Sequence, residues 1–214
     1  MDIPFIHEDA RILAVSKPVG TVVIPGRGEV GTPLCSLLEE RLGAKLYVVH
    51  RLDREASGLL LFAKDEKAHK DLCAQFAQRT VRKLYCAAVE GLVAQDGIAD
   101  SPLREFGSGR IAADPRGKPS RTVYRVLQRG SDATLLEVEP MTGRRHQIRA
   151  HLYGIGHPIL GDPLYGRERP VGGAPRLMLH ARKLSCRHPD GSSLRLEAPL
   201  QEDFLSVLRA RRLQ

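Results

Sequence analysis

The chain has no stretch approaching 18 consecutive apolar residues, so no membrane span is expected. Its opening, MDIPFIHEDA, carries an early aspartate and no apolar run of the kind a secretory leader needs. Cysteine is sparse. Cys35, Cys73, Cys86 and Cys186 lie 38, 13 and 100 residues apart, which fits neither metal-ligand spacing nor a disulfide scaffold and points to a reducing compartment. There is no GxxxxGK[ST] loop and no GxSxG elbow, and GRGEVG lacks the strand–turn–helix context of a dinucleotide site. A nucleotide cofactor is therefore not indicated. No internal repeat and no long linker divides the 214 residues, and one domain spanning 1–214 is expected.

What is present is ordinary in amount and uneven in placement. Hydrophobic residues make up 42% and charged residues 27%, the composition of a folded globular chain. The formal charge is +8. Residues 1–60 hold 7 Lys/Arg against 8 Asp/Glu, and the other 154 hold 26 against 17. A localised basic excess suits a polyanionic partner, because lysine and arginine displace counterions from phosphates.

Strand patterns run through RILAVSK, GLLLFAK, Lys83–Val89, Thr122–Gln128, Thr134–Glu139, Leu177–Leu184 and Ser193–Ala198. Val22–Pro25 is a further short apolar run, closed by PGRGEVG. Helical spacing is predicted after Thr32, an N-cap with Pro33 as first helical residue, ending at Gly43. It is predicted again over Asp65–Arg79, from Thr142 or Gly143 onward, and over Gln201–Arg212. Residues 104–121 carry five Lys/Arg against two acids among turn-forming residues and read as an exposed basic hairpin or loop. The whole predicts an α+β fold with a mostly antiparallel sheet.

Two clusters could carry chemistry. In HRLDREASGLLLFAK, Asp53 stands in a loop just ahead of a core strand, flanked by Arg51 and Arg54, which would favour its ionised form. The bland reading is a salt-bridged loop. In TGRRHQIRAH, three arginines and two histidines fall within ten residues, with Ile148 and Leu152 on the apolar side. So much positive charge calls for an anion: Asp53, an RNA phosphate, or both. His146 and His151 lack HExxH spacing and have no further ligand nearby, which argues against zinc. Asp162, between Gly161 and Pro163, reads as a turn former, and His180 as a hydrogen-bonded histidine at the core edge. Lys83 and Tyr85 share one face of their strand.

Taken together, HRLDREASGLLLFAK, the KLY of residues 83–85 and TGRRHQIRAHLYGIGHPILGDPLYG resemble the motifs of the RluA-type pseudouridine synthases. RILAVSKPVGTVV and LMLHARKLSCRHP are similar to that family's opening and closing patterns, so the likeness covers roughly residues 5–200. The resemblance implies a pseudouridine synthase fold, α+β with a central mixed and mostly antiparallel sheet in two lobes, flanking helices and an RNA cleft. It implies catalytic Asp53, an active-site Tyr85, and Arg149 paired with the aspartate. Arg51, Lys83, Arg144, His146 and Gln147 are assigned to RNA binding or support. It further implies conversion of uridine to pseudouridine in structured ribosomal or transfer RNA, with no cofactor, by a cytoplasmic protein, read here as a monomer. Ala56 departs from the family's usual threonine, for which a local packing or capping change is expected. The opening pattern begins within about ten residues of Met1, so a stand-alone catalytic domain without an S4 module is expected. Two rivals stay open at this point: an RNA-binding protein with a dead site, and a glycosidic-bond hydrolase using Asp53, which would need a second acid or an activated water.

Overall fold

The computed structural model describes residues 3–25, 31–107, 109–166 and 173–213; the PGRGEVG turn falls largely outside them. The chain forms two compact units. One comprises Met1–Lys83 with Ala181–Pro199, the other Leu84–His180 with Leu200–Gln214.

The first unit is built on β1 (Phe5–Glu8), β2 (Ile12–Lys17) and β4 (Ser57–Ala63), followed in the sheet by the Ala181–Arg187 stretch of β11 (Leu179–Arg187). β3 (Tyr47–Val48) pairs with β4, and β12 (Ser193–Glu197) pairs with β11. The β1–β2, β2–β4, β3–β4 and β11–β12 ladders are antiparallel. β2 and β4 are buried along their whole length, which is why their sequences are continuous apolar runs rather than alternating ones. Gly58 in β4 has φ +109, and a Cβ there would lie 2.3 Å from the Ala181 carbonyl oxygen, so only glycine fits.

Two helices flank this sheet. α2 (Glu66–Ala77) is capped by Asp65, whose side chain accepts from Ala68 N at 2.9 Å. α1 (Leu34–Leu42) starts one residue later than expected, with Pro33 rather than Thr32 at the N-cap. Its first two amides donate instead to the carbonyls of Val22 (2.8 Å) and Val23 (3.2 Å). Capping α1 accounts for those two carbonyls in a run that sequence reads as apolar and extended but that forms no strand. Gly43 closes α1 at φ 61, as its position predicts.

The second unit holds the Leu84–Glu90 part of β5 (Arg82–Glu90), then β10 (Ala133–Pro140), β9 (Thr122–Arg129) and β6 (Gly97–Ala99), antiparallel throughout. The basic 104–121 region does contain a hairpin, β7 (Leu103–Glu105) with β8 (Ile111–Ala113). α3 (Gln147–Gly154) and α4 (Glu202–Ala210) complete the unit. Leu103, Ile111, Ala150 and Tyr165 form one buried cluster that seats the hairpin on α3. The segment after α3 threads along β5: Leu160 N donates to Ala88 O (2.9 Å), and Met178 N to Leu160 O (2.8 Å). Gly161 sits in that segment at φ +72, where a Cβ would fall 1.7 Å from the Arg176 carbonyl oxygen. His180 is fully buried, edge-on to Phe204 with ring centroids 6.2 Å apart.

Candidate active site

Asp53 lies in the first unit, partly buried, two residues beyond exposed Arg51 and four before β4. Its loop is fixed through the backbone. Ala56 N donates to Asp53 O at 3.2 Å, and Gly20 N donates to Arg54 O at 2.8 Å. The ammonium of Lys17, fully buried, donates to the carbonyls of Pro18 (2.9 Å), Thr21 (2.8 Å) and Arg54 (3.1 Å), tying the KPVG turn to the aspartate loop. Arg54 donates Nε to Gly20 O (3.2 Å), and Arg51 makes no ion pair among the described residues. Ala56 is 2% exposed, and its amide closes the turn on Asp53 O.

His50, which opens the motif, is a fold element. Its Nε2 accepts from Leu61 N at 3.1 Å, and its ring stacks on Phe76 at 4.7 Å. Burial, reinforced by the Lys83 charge, pushes its pKa down to about 3, so it is a neutral acceptor at pH 7. Burial likewise holds the Lys83 ammonium below the ordinary lysine range. Tyr85, two residues further along β5, is partly buried and opposite Val138 of β10.

The second cluster is assembled around Gln147. The helix does not begin at Thr142 or Gly143; α3 begins at Gln147, because His146 takes a left-handed conformation (φ 50) as its N-cap. Arg145 therefore precedes the helix and shares no helical face with Arg149. The Gln147 carboxamide is fully used. Its Oε1 accepts from the Thr142 hydroxyl (2.6 Å) and Arg144 N (3.1 Å), and its Nε2 donates to Arg121 O (2.9 Å) and Thr122 Oγ1 (3.0 Å). It builds the loop and offers nothing to a ligand. His151 is also internal, with Nδ1 at 2.8 Å from Thr122 Oγ1 and Nε2 at 3.0 Å from Ser101 O, which removes it as a metal ligand. Ile148 and Leu152 are buried as their spacing predicts.

The loop displays its charges unequally. Arg145 pairs with Glu105 of the hairpin. Arg144 has no ion pair among the described residues, and its Nε is buried without a hydrogen-bond partner. His146 meets the Tyr165 ring edge-on at 6.0 Å. Arg149 is 2% exposed and forms a two-bond ion pair with Asp162: Nε to Oδ2 and Nη2 to Oδ1, both 2.8 Å. Asp162 is thus more than a turn former, though it is that too, accepting from Leu164 N (2.8 Å) and Tyr165 N (3.0 Å). The expected pairing of Arg149 with Asp53 joins residues of different units and stays with the proposal below.

The basic hairpin is less available to phosphate than its charge count predicts. Asp114 pairs with Arg104 (3.4 Å) and Arg116 (2.9 Å), and Arg110 lies over the rings of Tyr153 (4.7 Å) and Tyr165 (5.2 Å). The C-terminal arginines are partly matched as well, Arg209 with Glu202 and Arg211 with Asp132. Sequence reasoning missed Lys17 and the Asp162–Tyr165 pair. The signal for Asp162 was present, since a buried arginine needs a nearby carboxylate.

The chain is 42% identical over 224 residues to "Ribosomal large subunit pseudouridine synthase D" of Nitrosomonas europaea, covering 96% of this chain and 64% of that protein's length. It is 40% identical over 200 residues to "Dual-specificity RNA pseudouridine synthase RluA" of Vibrio vulnificus, covering 89% and 80%. Among solved structures, human RNA pseudouridylate synthase domain containing 4 superposes with a TM-score of 0.81 at 27% identity, covering 98% of this chain and 93% of the other. The family model described as RNA pseudouridylate synthase matches residues 11–153, and the chain belongs to that family.

Proposed function

We propose that the protein is an RluA-type pseudouridine synthase that isomerises uridine in structured RNA, with Asp53 as its catalytic group. The observation that carries the proposal is the way Asp53 is held: a carboxylate on a loop locked on both sides by main-chain bonds and by buried Lys17, ahead of a fully buried strand. Catalysis by a fixed carboxylate needs such pre-organisation. The reaction breaks N1–C1′, turns the uracil and joins C5 to C1′, with the C5 proton released and N1 taking one up. It is redox-neutral and imports no group, so the residues suffice without a cofactor. In this reading Tyr85 closes over the flipped base and Arg149 pairs with the Asp53 carboxylate. Arg144, whose guanidinium lacks an ion pair among the described residues, takes a phosphate, with Arg51, Lys83 and His146 in support. Gln147 supports only through the fold. The names of the relatives favour ribosomal RNA, with transfer RNA second, and a monomer working in the cytoplasm completes the reading.

The test is tritium release from large-subunit ribosomal and transfer RNA transcripts labelled at uridine C5. Wild-type protein should release tritium. Asp53→Asn, which keeps size but removes charge, should fold and bind RNA while turnover falls by about 10³-fold or more, equivalent to about 4 kcal/mol. Release at the wild-type rate rejects Asp53, and free uracil in place of pseudouridine marks a hydrolase.

A further inference from the structure

Arg149 and Tyr165 are among the largest fully buried side chains, and Asp162 beside them is 0% exposed. The three form one assembly within the second unit. The Asp162 carboxylate grips the Nε–Nη2 edge of the guanidinium, and the Tyr165 ring covers it, with Cζ 5.3 Å from the ring centroid. Asp162 is itself held. Its Oδ1 also accepts the amides of Leu164 and Tyr165, its own amide donates to Ile159 O (3.2 Å), and the preceding Leu160 is pinned to Ala88 of β5. Tyr165 is anchored at its far end, where its hydroxyl accepts from Ile111 N at 3.0 Å.

A side-on fork fixes both the position and the plane of a guanidinium, and so decides where its Nη1 end points. Charge neutralisation alone would not need four acceptor contacts on a carboxylate that is rigid in the backbone. We infer that Asp162, with Tyr165 as the covering ring, is a positioning residue for the reaction, acting through Arg149. This rests on the reading that Arg149 serves catalysis. It makes the GDPLYG segment part of the active-site support rather than a connection between α3 and β11.

Two variants separate position from charge. Asp162→Glu keeps the charge and displaces the carboxylate, and Asp162→Asn keeps the shape and removes the charge. Turnover is read as tritium release from the same two transcripts, well below the melting midpoint of each variant, with RNA affinity measured alongside. Asp162→Glu should fold and bind RNA within about twofold of wild type while kcat falls by about 10²-fold, the scale of a displacement of about 1 Å. Combining it with Arg149→Lys should give no further loss beyond Arg149→Lys alone, because both act through one group. Wild-type kcat in folded Asp162→Glu overturns the inference, as does a double variant whose losses multiply. If neither Asp162 variant folds, Tyr165→Leu takes their place, with a non-additive fall in kcat expected and wild-type kcat fatal. Arg149→Lys at wild-type kcat removes the reading of Arg149 instead. Wild-type protein that releases no tritium from either RNA counts against the synthase reading and takes this inference with it.

Discussion

His50 shows how one residue of a reactive-looking motif can serve the fold alone. Its Nε2 takes the place of a strand carbonyl for Leu61 N, just past the end of short β3. That role requires an unprotonated nitrogen. The folded pKa, about 3, lies below the ordinary value of 6.5, so the unfolded chain binds a proton that the folded chain refuses. The contribution is fully present above pH 6.5 and is lost as pH falls from there towards 3. His50→Gln, which keeps an acceptor that does not titrate, should remove this dependence. Between pH 7 and pH 5, urea unfolding should show wild type losing about 1–2 kcal/mol more than the variant. Parallel curves for the two proteins would show that His50 titrates normally in the fold.

At the scale of elements, the loop entering α3 sorts two adjacent arginines into different duties. Arg145 is matched by Glu105, whereas Arg144 has no ion pair among the described residues. Arg144→Ala should reduce the log–log salt slope of RNA binding by about 0.7–0.9, one phosphate's worth, and Arg145→Ala by clearly less. Equal slopes for both variants would place neither on the backbone. The same loop shows where sequence reading works and where it stops. The continuous apolar runs of β2 and β4 and the cap at Gly43 were legible because burial and capping act locally. The start of α3 was misplaced because Gln147 bonds to Thr122 and Arg121, more than twenty residues away, and overrides local propensity. Short β6 and β1 were passed over, since three or four partly exposed residues give no clear alternation. Asp53 was singled out by its motif. Asp162, partner to Arg149 across 13 residues, was read only for the turn it also makes.

At the scale of the molecule, both units are discontinuous in sequence, and α4 belongs to the second although it follows the last strands of the first. Asp203 holds Arg176 through two bonds of 2.6 and 2.7 Å, and Phe204 and Leu208 are buried. Ending the chain after Pro199 should therefore destabilise the second unit by at least about 3 kcal/mol, from two large apolar side chains alone. Hydrogen exchange would show the loss in β5, β9 and β10, and unchanged protection there would mean that α4 is dispensable. The interleaving also sets a timetable for synthesis. β4 is complete at Ala63, but its neighbour in the sheet emerges only from Ala181, 118 residues later. At about 5–20 residues per second, the Ser57–Leu60 end of β4, which lies beyond the β3 ladder and the His50–Leu61 bond, waits roughly 6–24 s on the ribosome as an uncovered edge. An edge without charge or proline is a template for pairing with other chains. During its own translation the protein thus depends on whatever shields nascent chains, long before it meets an RNA to modify.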